Sequence, residues 1–341
     1  MSDIAQPLAP RLVGWLYDYG RMAVQIFLVL GGYLAAASLA PHGLARFDSA
    51  AQQIMRRCVR LVLPYAVALV LAVLAAALVR PWMAHDSVPD VPDLAQLLAN
   101  ALMLQDVLGE EALSAGVWYV AIDFQLFALA ALLLAAVRRL PWRTPHQAAL
   151  ASQALVLAAS AASLWVFNRD PALDMWGVYF FGAYGLGMLA HWAVRAPQPG
   201  AWVGALVLLG ITALALDFRL RIALAWAVAL ALVWLLRRPV PVWVRAAKPL
   251  QKLGQMSYSV FLVHFPVCLL VNALFGALWP DVPWANALGM LVAFMLSLAA
   301  GRLLYLQVER QVPSWVSALR WQAGLVGTGL MVARVGSPWL A

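Results

Sequence analysis

Charge is what this chain has least of. Only 11% of its 341 residues are Asp, Glu, Lys or Arg, against 65% apolar. Soluble domains carry about one quarter charged residues, so this composition belongs to the membrane class. Cysteine is nearly absent too. Cys58 and Cys268 fall on separate predicted helices with no metal-ligand spacing, so neither a disulfide framework nor a metal site is indicated. The net charge of +8 does not point to nucleic acid. Its arginines sit in short loops between apolar runs and form no basic surface with interleaved aromatics. There is also no internal repeat, and no pair of Gly/Pro-broken spans of the kind many transporters show.

What fills the chain is apolar runs. They lie at about Met22–Ala40, Val59–Val79, 116–137, 147–167, 174–194, 201–217, 220–236, 257–279 and 285–306. A membrane-crossing helix needs about 20 such residues. The expected fold is an all-α polytopic bundle of about nine transmembrane helices. Between the second and third runs lies a long acidic segment, Arg80–Gly116, with an amphipathic piece at Leu94–Gln105 suited to the interface. Trp321–Ala333 is too short to span comfortably. Residues 1–312 are therefore read as one membrane domain and 313–341 as an interfacial or disordered tail.

The loops alternate in sign. Arg46, Arg56, Arg57 and Arg60 follow the first run, and Arg138, Arg139 and Arg143 the third. Arg195 follows the fifth, Arg237, Arg238, Arg245, Lys248 and Lys252 the seventh, and Arg310 and Arg320 the ninth. The intervening loops carry Asp86, Asp90, Asp93, Glu110 and Glu111, then Asp170, then Asp281. The positive-inside bias puts the basic loops and the C-terminus in the cytoplasm of a bacterial-type inner membrane. The N-terminus then starts outside. A cleaved signal peptide at Met22–Ala40 would require the arginine-rich loop after it to be exported. The simpler expectation is a further transmembrane helix ahead of residue 1.

Few polar groups sit inside these runs. His264 lies about eight residues into the 257–279 run, roughly 12 Å deep at 1.5 Å per residue. Asp123 is the carboxylate well inside a predicted span, and Gln125 is close by. An ionisable group at such depth is costly, about 2.5–3.5 kcal/mol on insertion scales, unless it finds a partner or water. A neutral histidine donating to a carbonyl, and an aspartate paired with an arginine for packing, are the plain readings. The functional reading has Asp123 orient His264 in one cavity. Arg57 and Arg60, three apart on one helix face, suit a phosphate or anchor a helix end. Glu309 beside Arg310 closes the last run. Gly31-Gly32 permits close helix approach.

In order along the chain these pieces resemble one pattern. Val24–Leu34 is similar to the "DLFFVLSGFL" segment of the acyltransferase type 3 family, and Arg57–Pro64 to its "RLLRILP". Trp118–Gln125 resembles "WSLSVEEQ", Ser257–Pro266 resembles "SYSLYLWHFP", and Tyr305–Glu309 the closing "Y..IE". Gly31 replaces the family's serine and Asp123 a glutamate. The family's first helix, with its arginine and histidine, has no counterpart, which leaves a shortened enzyme or a degenerate relative.

The resemblance implies transfer of an acyl group, often acetyl, from cytoplasmic acyl-CoA to a hydroxyl of a cell-surface glycan or lipid-linked saccharide. Arg57 and Arg60 would hold the donor, His264 would act as general base, and Asp123 and Glu309 would support it. No permanently bound cofactor is implied. If the histidine of the family's first helix is the base, the shortened chain would turn over near background; if His264 is the base, the chain would transfer acyl groups and lose that activity on His264→Ala. A transporter or flippase, or a non-catalytic membrane partner, is the alternative.

Overall fold

The computed structural model describes residues 1–83, 85–239 and 247–336. Arg245 of the basic loop and residues 337–341 of the tail lie outside these. The described residues form helices and no strand. In chain order the principal helices are α1 (Pro10–Tyr19), α2 (Ala23–Leu39), α3 (Ala50–Val79), α4 (Leu94–Ala101), α5 (Trp118–Arg138), α6 (Pro145–Trp165) and α7 (Gly177–Arg195). They continue with α8 (Gly200–Leu216), α9 (Leu220–Leu236), α10 (Lys248–Gln255), α11 (Ser257–Leu278), α12 (Pro283–Leu304) and α13 (Trp315–Gly336).

A helix occurs at each of the nine expected runs, and the all-α polytopic fold stands. Among the described residues six helical runs are long and apolar enough to cross a membrane: Pro10–Leu39, Ala50–Val79, Trp118–Arg138, Pro145–Arg169, Ser257–Leu278 and Pro283–Glu309. The first starts at Pro10, earlier than the sequence pattern places it. Helices α8 and α9 are apolar but 17 residues each, about 25 Å long. Helix α7 differs for another reason. It is buried from Tyr179 to Ala193, so protein rather than lipid surrounds it and its surface need not be uniformly apolar.

The chain divides into two compact units. One comprises Tyr19–Arg57 and Ile122–Ala246, the other Met1–Asp18, Cys58–Ala121 and Ala247–Ala341. In the Tyr19–Arg57/Ile122–Ala246 unit, α7 is the axis on which α2, α6, α8 and α9 pack. Glycine makes this possible. A Cβ added to Gly32 would collide with the backbone carbonyl of Tyr184, and one on Gly187 with that of Val29. The two backbones thus touch where a side chain would hold them apart. Trp192 Nε1 adds a bond to the Ala40 carbonyl at 2.8 Å where α2 ends.

In the other unit α11 packs along α12, and α13 packs on α4. Fully buried Asn100 organises the acidic segment: its Nδ2 donates to the Glu111 carbonyl and its Oδ1 accepts from the Leu113 amide at 3.0 Å. Tyr65 Oη donates to the Asn100 carbonyl at 2.9 Å. Arg80, outside the spans, donates to the carbonyls of Pro89 and Asp90. Where the sequence suggested an interfacial or disordered tail, residues 315–336 form one helix. Its Gln322 donates to the Ala101 carbonyl at 2.7 Å, and Gly329 admits Leu97.

Gly32→Leu should therefore lower thermal stability in detergent by the equivalent of about 1–3 kcal/mol or more, as overpacking does. Gly204→Ala, with open space around its Cβ, should leave the melting temperature unchanged. Equal melting curves for Gly32→Leu and wild type would contradict the backbone contact.

Candidate functional site

In the Cys58–Ala121/Ala247–Ala341 unit the sequence-predicted residues are Arg60, His264 and Glu309. His264 Nδ1 lies 2.5 Å from the carbonyl of Phe261, one turn earlier on α11. A carbonyl can only accept, so the proton sits on Nδ1 and Nε2 carries the lone pair. The ring is half-buried, and the bond to its own helix fixes its direction. Pro266, two residues on, has no N–H and leaves the carbonyl of Leu262 without its helical donor.

An aromatic sequence leads up to this ring. Phe261 lies 5.9 Å from it between centroids, Tyr119 stands edge-on to Phe261 at 5.6 Å, and Trp118 edge-on to Tyr119 at 6.3 Å. Gly116, at φ +84°, occupies the left-handed region that favours glycine, and a Cβ there would press on Phe261 at 3.0 Å. Turn geometry at the start of α5 thus makes room for the aromatic beside His264.

Glu309 ends a five-residue π-turn, Tyr305–Glu309, closed by a bond from the Arg310 amide to the Tyr305 carbonyl at 2.8 Å. Single π-turns often accompany functional positions because they rotate side chains off the α-helical register. Here the turn brings Glu309 Oε2 to 2.5 Å from Ser259 Oγ, which donates to it and is fully buried. Gly301 lets α12 approach Val260 of α11 closely enough for this bond. The charge of Arg60, itself exposed, also acts on Glu309. Tyr258 Oη donates to the Leu61 carbonyl at 3.0 Å, tying α11 to α3 one residue from Arg60. Ser259 and Tyr258 both lie in the Ser257–Pro266 motif, yet sequence reasoning assigned neither a role.

Asp123 and Arg57 belong to the other unit. Arg57 Nη2 meets Asp123 Oδ2 at 2.5 Å, with the aspartate side chain 8% and the arginine 32% exposed. The guanidinium also stacks 5.3 Å from the centre of the Phe127 ring. The plain reading of Asp123, an arginine partner, is the one seen within its unit. Gly31 faces the same carboxylate: a Cβ there would lie 3.4 Å from Asp123 Oδ1 and 3.2 Å from Tyr184. The two departures from the family pattern, Gly31 for serine and Asp123 for glutamate, are thus neighbours. Gln125 is structural. Its Oε1 accepts from the Gly177 amide at 2.7 Å, capping the start of α7.

His191, near the end of α7, is the buried histidine among the described residues, 1% exposed and edge-on to Tyr33 at 4.9 Å. Its burial comes from the glycine-mediated approach of α2 to α7, which hydropathy alone does not show. No three His, Cys, Asp or Glu residues come together as a metal-ligand set among the described residues.

An all-helical chain with six helical runs apolar and long enough to cross a membrane is a multi-pass membrane protein. The family model for the acyltransferase type 3 domain, described as "Acyltransferase domain", matches residues 6–306, and the chain belongs to that family. It is accordingly a membrane acyltransferase in the general sense. No curated protein and no solved structure matches the chain.

Within the Tyr19–Arg57/Ile122–Ala246 unit, Arg57→Gln should destabilise by roughly 3 kcal/mol, the low end for breaking a buried pair because Arg57 is partly open to solvent. Asp123→Asn should cost less, since Arg57 can turn towards water. The double variant should cost less than the sum. Strict additivity of the three melting shifts would show that the pair is not coupled.

Proposed function

We propose that the chain moves an acyl group, most simply acetyl, from acyl-CoA to a hydroxyl of a cell-surface glycan or lipid-linked saccharide. It would do so in a bacterial-type inner membrane with its C-terminus in the cytoplasm. The observation that carries this reading is the contact of His264 Nδ1 with the Phe261 carbonyl at 2.5 Å. With Nδ1 committed to the Phe261 carbonyl, Nε2 is the basic nitrogen of an oriented, half-buried ring. Nε2 accepts the proton of the acceptor hydroxyl as its oxygen attacks the thioester carbonyl. The C–S bond breaks, and the CoA sulfur leaves as thiol with that proton. Ester and CoA are the products.

The donor is charged at its nucleotide end, and two arginines of α3 supply the complement. Arg60 is exposed, with Glu309 near enough to act on it, and Ser259 holds that carboxylate in place. Arg57 is aimed by Asp123 and Phe127. A guanidinium binds phosphate through two parallel N–H groups, which an ammonium cannot match.

The test uses purified protein in detergent with radiolabelled acetyl-CoA and an excess of saccharide acceptor. Release of CoA with label on the acceptor is expected, and a carrier or non-catalytic partner would release none. The Arg57→Gln/Arg60→Gln variant should raise the donor KM at least tenfold, and lysine at both positions should restore it only in part. An unchanged donor KM would return the two arginines to helix anchoring.

A further inference from the structure

A cavity of about 430 Å³ opens in the Tyr19–Arg57/Ile122–Ala246 unit and uses none of the residues assigned above. Its volume lies within the range of about 300–1,000 Å³ usual for ligand sites. Phe47, Ile54, Leu132 and Ala135 give its lining an apolar part, and Asp48, Ser49, Arg138 and Arg139 a polar one. The two arginines are not equivalent. Arg138 donates to the Phe47 carbonyl and pairs with Asp48 at 2.5 Å, so it is part of the frame. Arg139 is exposed and its guanidinium has no protein partner among the described residues. With Asp48 offsetting one charge, the lining remains positive.

The surroundings say what kind of molecule would enter. Leu132 is 54% exposed at the cavity, and just beyond Arg139 come Leu140 at 54% and Trp142 at 38%. A tryptophan, a leucine and basic residues at a helix end are the pattern of the membrane–water boundary. A soluble anion would gain nothing from the apolar walls, whereas an amphiphile would use both parts. We propose that this cavity binds an anionic phospholipid, its phosphate on Arg139 and its first acyl carbons against Leu132, Ile54 and Phe47.

The full chain, purified in detergent with equal amounts of phosphatidylglycerol and phosphatidylcholine, would be examined by native mass spectrometry for retained lipid. Wild type should retain phosphatidylglycerol in preference. Arg139→Gln should reduce that retention about fivefold, the scale of one basic residue at an anionic surface. Leu132→Trp, which fills the cavity and leaves every charge, should reduce it as well. Both positions are exposed, and unchanged melting curves would show that the variants remain folded. Equal retention in wild type and Arg139→Gln overturns the proposal. So does a loss with Arg139→Gln alone and none with Leu132→Trp, which would mean surface attraction without a cavity. Displacement of phosphatidylglycerol by millimolar inorganic phosphate or by free CoA would assign the site to a soluble phosphate and overturn it too.

Discussion

A carboxylate carried into an apolar bundle must bring its own partner. Water is not there to solvate it, and an isolated ion would cost several kcal/mol. This constraint shapes both units. In one, Asp123 is met at 2.5 Å by Arg57, whose free face is covered by Phe127. In the other, Glu309 is met at 2.5 Å by the buried hydroxyl of Ser259, with the charge of Arg60 acting on it. Each bond demands close helix packing, so the polar groups and the small residues around them are two aspects of one requirement.

Glycine meets that requirement. Gly32 and Gly187 let α2 and α7 touch backbone to backbone, Gly301 admits Val260 between α12 and α11, and Gly116 makes room for Phe261 beside the His264 ring. Gly31 lies against Asp123 and Tyr184, where an added Cβ would already be crowded at 3.2 Å from the Tyr184 ring.

Much of this was legible from residues alone. Apolar runs of the right length located the helices, because the thickness of the bilayer leaves few other options. The cost of depth singled out Asp123 and His264. Partners were another matter, since a sequence shows that a charge needs company but not which helix supplies it. Within its own unit Asp123 takes Arg57 as that partner. His191 escaped notice because burial near a helix end depends on the α2–α7 approach and not on distance along the chain. Residues 315–336 form one helix because the short apolar stretch Trp321–Ala333 is extended by its flanks and packs on α4. Ser259 escaped because a serine in a helix carries no signal until the π-turn aims a carboxylate at it.

The central claim is that His264 Nε2 is the base of an acyl transfer. It is tested most directly by the single-turnover rate of acyl transfer from acyl-CoA for wild type and His264→Ala at matched, saturating donor. General-base catalysis contributes about 10²–10⁴-fold, so the variant should lose that much rate while still binding donor. A variant that transfers as fast as wild type would contradict the claim. So would a wild type already as slow as the variant.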